Sequence, residues 1–95
     1  MTFEEVLENY QAQQKKACAS YDEFRKTGKF NGFSVDYAGL DRDLIQAAKD
    51  EFWFTEAQAQ FIHSEAYDRY HSSYSDMPFG MRRLCEFALG FKNLT

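Results

Sequence analysis

Rings that titrate or bind metal gather in one stretch of the chain: His63, Tyr67, Tyr70, His71 and Tyr74. At about 100° per residue, His63, Tyr67, Tyr70 and Tyr74 fall on one face of a helix, with Glu65 and Asp68 on neighbouring faces. A metal centre needs three or four converging ligands, and helical histidines that share an ion commonly stand at i and i+4. Here the two histidines are eight residues apart, so an ion would need ligands from another helix or a second subunit. The ordinary expectation is that both histidines hydrogen-bond in a packed, partly polar seam, and we assign neither a metal nor a cofactor. A stripe of this composition suits protein docking better, because Tyr is a favoured anchor at interfaces.

Cys18 and Cys85 offer a thiol for nucleophilic catalysis only if the fold brings a histidine to one of them. Neither lies in a local signature, and both stand among apolar residues (Ala17 and Ala19; Leu84 and Phe87), as small buried thiols do. No acid and base are paired by local spacing, so the chain is not expected to be an enzyme. The cysteines show no CxxC or metal-type spacing, and the first residues lack a basic and apolar leader. Both features fit reduced thiols in a cytoplasmic protein.

A small-ligand site is the alternative. Lys26, Thr27, Gly28, Lys29 and Asn31 gather cations, a hydroxyl and flexible backbone, and Phe30 and Phe33 are able to stack on a base. This would make the chain a nucleotide or phosphate sponge or sensor. Against it, the cluster follows a helix C-terminus, where the dipole disfavours anions, and no glycine-rich phosphate fingerprint is present. Duplex DNA binding is not expected either. The helix that would enter the groove carries Arg69 against Glu56, Glu65 and Asp68.

Four helical segments have to position these residues. Thr2 and Glu5 form a capping-box pattern, and Arg25, Lys26 and Gly28 form a helix end, so a helix of about 37 Å is expected over residues 3–27. Phe3, Leu7, Tyr10, Ala17, Tyr21 and Phe24 give it an apolar stripe, interrupted by Gln11, Gln13 and Gln14. Residues 29–37 contain Asn31-Gly32, a strong turn signal, between Phe30, Phe33, Val35 and Tyr37. They form either a short β-hairpin or an aromatic loop folded onto the helices, and a lone hairpin is marginal in water, which favours the loop. Asp41 is the expected cap of a second helix running to about Phe52, with Leu44, Ile45, Ala48 and Phe52 on its inner face. Phe52-Trp53-Phe54 reads as a buried corner, and Thr55 with Gln58 starts a third helix expected to reach about Ser75. Ala59, Ala66 and Ser73 repeat every seven residues and suit close helix packing, with Ala12 and Ala19 as opposing positions. Pro78 fits the first turn of a fourth helix or kinks a continuing third one. Leu84, Phe87, Ala88 and Phe91 give the last apolar face, with Gly90 as its stop.

The whole is a single all-α domain over residues 1–95, with three to four helices in a hairpin or bundle. The 95 residues include ten Phe, six Tyr and one Trp. A chain of this length buries roughly two-thirds of its unfolded surface, too little to enclose every ring. Part of the aromatic surface is therefore expected to meet a protein partner or a second copy, with a homodimer as the default. The net charge of −4 argues against non-specific nucleic-acid binding, and no apolar run approaches the ~20 residues of a membrane span.

The run Ser64-Glu65-Ala66-Tyr67-Asp68-Arg69-Tyr70-His71-Ser72-Ser73-Tyr74-Ser75-Asp76, followed by Leu84 to Phe87, resembles a helix of small, functionally unassigned accessory proteins of tailed bacteriophages. Those proteins carry an Ala-Tyr pair, then His-Ser, then another Tyr before an amphipathic helix. Tyr70 stands here where they often have Gly, and Pro78 interrupts the usual helix. The resemblance implies a phage origin and an inhibitor or modulator that binds a host protein or defence complex. The docking residues expected on this reading are Tyr67, Tyr70, His71 and Tyr74, then Trp53, Phe30 and Phe33. The small-ligand alternative rests on Lys26, Lys29 and Asn31.

Overall fold

The first three helices each begin at a cap that the sequence supplies. A computed structural model describes residues 1–70 and 74–94, the side chains of Tyr74 and residues 91–94 apart. Thr2 accepts the Glu5 N–H at 3.2 Å and opens α1 (Phe3–Thr27). Gly28 closes it at φ 74°, its N–H bonded to the Phe24 carbonyl at 2.7 Å. Only glycine adopts this left-handed conformation without strain. Next, α2 (Tyr37–Phe52) begins one turn earlier than expected. Its cap is Asp36, whose carboxylate accepts the Gly39 N–H at 2.9 Å, and not Asp41.

Thr55 and Gln58 cap α3 (Glu56–Tyr70) reciprocally: the Thr55 N–H meets Gln58 Oε1 at 2.9 Å, and the Gln58 N–H meets Thr55 Oγ1 at 3.2 Å. A 3₁₀ turn (Tyr74–Asp76) then leads into α4 (Met77–Leu94). Pro78 sits in the first turn of α4, where its missing N–H is not needed. Two boundaries differ from expectation. The third helix is described to Tyr70, and the expected end near Ser75 falls in a 3₁₀ turn instead, while Gly90 does not stop the fourth. Glycine inside a helix lowers its stability without obliging it to end.

The hairpin is not formed: among the described residues there is no strand, and residues 29–36 run as an extended strap. Asn31-Gly32 does turn the chain, with Gly32 at φ 81°. However, Asn31 Oδ1 accepts the Ser20 hydroxyl and the Phe33 N–H, which ties the strap to α1 instead of to a second strand. Gln13 Oε1 accepts the Asp36 N–H at 2.9 Å further along. These contacts leave the strap no sheet to join.

The core lies at one end of the molecule. Phe3, Val6 and Tyr10 of α1 pack with Leu40 and Leu44 of α2, Ala59 and Ala66 of α3, and Met77 and Met81 of α4. Zero exposure of Ala59 and Ala66 agrees with the close packing that the seven-residue repeat suggests. Ala12 and Ala19 do not oppose them, because both are exposed on α1, and Ser73 lies outside the described residues. At the α2–α3 corner, Phe52 stacks on Phe54 at 6.1 Å and tilts against Phe3 at 5.9 Å. Trp53 between them turns outward and is 84% exposed, so the corner is half-buried at Phe52 and buried at Phe54 but not at Trp53. No described helix is long and apolar enough to cross a membrane.

Candidate functional site

The molecule measures 60 × 23 × 18 Å because α1 outruns the bundle. Beyond Tyr10, the only buried residue of α1 is Ser20, which the strap covers. The apolar stripe of α1 therefore has two fates. Phe3 and Tyr10 enter the core, whereas Tyr21 and Phe24 stay on the surface. Residues 11–27, about 25 Å of helix, form an arm with the strap folded back along it.

Phe30 meets Phe24 edge-on at 6.3 Å and remains 62% exposed. The Arg25 guanidinium lies over the Tyr21 ring at 5.9 Å. Phe33 is half-buried, Lys26 and Lys29 are exposed, and a shallow depression of about 380 Å³ is lined by Asp22, Arg25 and Lys26. Asn31 Oδ1 is used inside the strap, where it accepts from the Ser20 hydroxyl and the Phe33 N–H.

Charge is divided as well. Residues 11–31 carry Lys15, Lys16, Arg25, Lys26 and Lys29 against Asp22 and Glu23, a net +3. With −4 on the whole chain, the remainder carries −7. The arm is a basic, aromatic projection from an acidic bundle.

A second exposed apolar surface runs along the junction of α3 and α4. Two adjoining depressions, of about 390 and 330 Å³, share Phe61, Ile62 and Ala88. Phe54 and Ala57 extend the groove at one end, and Leu84 and Phe87 line the other. Phe61 and Phe87 are 67% and 66% exposed, too much for core residues. Glu65 and Arg69, one helical turn apart, flank the groove, both exposed and without an ion-pair partner among the described residues.

The tyrosine face is divided. His63 lies against Asp41, Nε2 to Oδ1 at 3.2 Å, so the residue expected to cap α2 instead meets α3. Tyr70 is half-buried against Gly80, whereas Tyr67 is 44% exposed. His71 and the Tyr74 side chain lie outside the described residues. Among the described residues, no three His, Cys, Asp or Glu side chains converge as a metal site. Burial, with the Glu51 and Glu86 carboxylates adding to it, pushes the Cys85 thiol up to about 12. At neutral pH it is therefore protonated and a poor nucleophile. A further depression of about 470 Å³ is lined by Tyr70, Phe79, Arg82 and Arg83 together with Asp76 and Glu86. Its Arg82 is held by Glu51 at 3.7 Å and Glu86 at 3.4 Å.

Sequence reasoning did not single out Phe61 and Phe87 as surface residues. One signal was available for Phe61: it lies off the Ala59, Ile62 and Ala66 face, so a helix that buries those three turns Phe61 away. No protein-family model, curated protein or solved structure matches this chain.

Proposed function

We propose that this chain is a small protein-interaction module whose arm docks on an acidic surface of a protein partner. The observation that carries this reading is the arm itself, which places Tyr21, Phe24 and Phe30 on a +3 segment of a −4 chain, away from the core. Half a helix held outside the core gains little stability from tertiary packing. Aromatic anchors with a cationic rim suit a partner surface that is apolar at its centre and acidic around it. The resemblance of residues 64–76 to small phage accessory proteins supports a host protein as that partner. The arm is favoured over the tyrosine face because Tyr70 is engaged with Gly80.

The test is affinity purification of the tagged chain from a bacterial lysate, before and after nuclease treatment, beside Phe24→Asp and Lys26→Glu variants. Both positions are exposed, so the variants keep their helix content, which circular dichroism checks. The expected result is one nuclease-resistant protein that wild type retains, that both variants lose, and that elutes with salt. Retention unchanged in both variants removes the arm as the docking site. Retained material that nuclease abolishes replaces the protein partner with a nucleic acid.

A further inference from the structure

We infer that the α3–α4 groove is the seat of a second copy of this chain, related to the first by a two-fold axis. This surface is separate from the arm, so the inference does not depend on the function proposed above.

The charges at the groove are self-complementary. Glu65 and Arg69 lie four residues apart on the edge of the groove, are exposed, and have no ion-pair partner among the described residues. An axis crossing α3 midway between them runs the two α3 helices antiparallel. Each Glu65 then faces Arg69 of the partner subunit, and each Arg69 faces Glu65 of the partner subunit. A same-on-same contact requires this reciprocity, because every residue i that meets j must also be met by j. A groove selected for an unrelated helix carries no such constraint.

Beside these charges the surface is apolar. Phe61 and Phe87 are about two-thirds exposed. An aromatic side chain buries about 150–250 Å² when covered, so four such rings across two copies contribute roughly 500 Å². That is about a third of the ~1,600 Å² of a standard interface, from four side chains alone. Ile62, Leu84 and Ala88 supply the apolar floor between them. Two α3–α4 helix pairs laid face to face make a four-helix layer, a common way for short helix pairs to cover their apolar faces. The pairing leaves the α1 arms outside the contact and gives the assembly two of them.

Light scattering on the eluting peak, at about 100 μM chain, measures the assembly mass. Wild type is expected at the mass of two chains and Phe61→Asp at the mass of one, with unchanged helix content. Glu65→Arg places like charges across the axis, as does Arg69→Glu, and each variant is expected as a single chain. Mixed in equal amounts, these two charge variants are expected to pair with each other and return to the mass of two chains. A single-chain wild type overturns the inference. So does a dimer that Phe61→Asp leaves intact, which would put the contact elsewhere, such as on the arm. A dimer that Phe61→Asp breaks but whose charge variants do not recover on mixing overturns the two-fold register.

Discussion

The ring of Tyr70, in the last turn of α3, sits against the bare Cα of Gly80 in the first turns of α4, where an added methyl group would collide with three ring atoms. Gly80 is buried, and Met77 and Met81 beside it are fully enclosed. The close approach therefore fixes the angle at which α3 hands over to α4. Gly80→Ala gains about 1 kcal/mol of helix propensity but forces the ring or the helix aside, which typically costs about 1–3 kcal/mol. The expected net loss is up to about 2 kcal/mol, read as a lower chemical-denaturation midpoint. In a Tyr70→Ala background the same change should become neutral or stabilising. An equal loss in both backgrounds would show that the Tyr70 contact is not the reason for glycine.

Trp53 adopts φ 56°, the only positive φ among the described non-glycine residues, while exposing 84% of its surface. A left-handed backbone costs a side-chain-bearing residue roughly 1–2 kcal/mol, and little burial compensates for it here. Trp53→Gly should therefore raise stability by up to about 1 kcal/mol, after allowance for the freer unfolded chain. Trp53→Val, with a β-branched side chain at the same backbone, should lower it. Thermal melts followed by circular dichroism give both signs, and a destabilised Trp53→Gly would reveal a contact of the indole that outweighs the strain.

Asn31 joins the strap to the arm through Ser20 and turns the strap through the Phe33 N–H. Asn31→Ala removes the one oxygen that accepts both bonds and leaves the buried Ser20 hydroxyl without this partner. A loss of about 1–2 kcal/mol is expected in the strap's local stability, with the bundle unaffected. Hydrogen exchange resolves the two: amides of residues 29–36 should speed up, and those of α3 and α4 should not. Uniform acceleration would mean that strap and bundle open together.

The two cysteines should differ sharply in reactivity. Cys18 is exposed, whereas Cys85 is buried with its thiol pushed up to about 12. At pH 8 a thiol reagent should modify Cys18 at once and Cys85 slower by about a thousandfold, until denaturant is added. The same shift has a stability sign. Below the ordinary thiol value of 9.0 both states keep the proton and the shift contributes nothing. As pH rises above it, the unfolded thiol ionises first, so stability falls progressively toward pH 12. Cys85→Ala should flatten this alkaline decline, and an unchanged slope would assign the decline to other groups.

Periodicity and caps made most of the fold legible. Thr2, Gly28, Thr55 and Pro78 mark helix ends where expected, because each acts through backbone groups within four residues of itself. The sequence does not distinguish the cap of α2, because Asp36 and Asp41 have the same side chain, and Gly39 with the strap that delivers Asp36 decides it. With Asp36 as cap, Asp41 lies within the helix, free to face His63. The candidate surfaces were less legible. Tyr67 and Tyr70 share a helical face in sequence, yet one is exposed and the other rests on Gly80, since exposure depends on which neighbour arrives.

The sequence by itself determined a helical chain with more aromatic surface than a core of this size encloses, because composition and 3.6-residue spacing are local properties. The tertiary structure alone decided where the surplus went. The first three turns of α1 hold its core residues and the last four hold none, so one apolar stripe becomes core at Phe3 and surface at Phe24. Likewise, packing Ala59 and Ala66 inward turns Phe61 out beside Phe87, forming a groove from residues that lie far apart in the chain. Burial is a relation between distant segments, and spacing within one segment does not contain it.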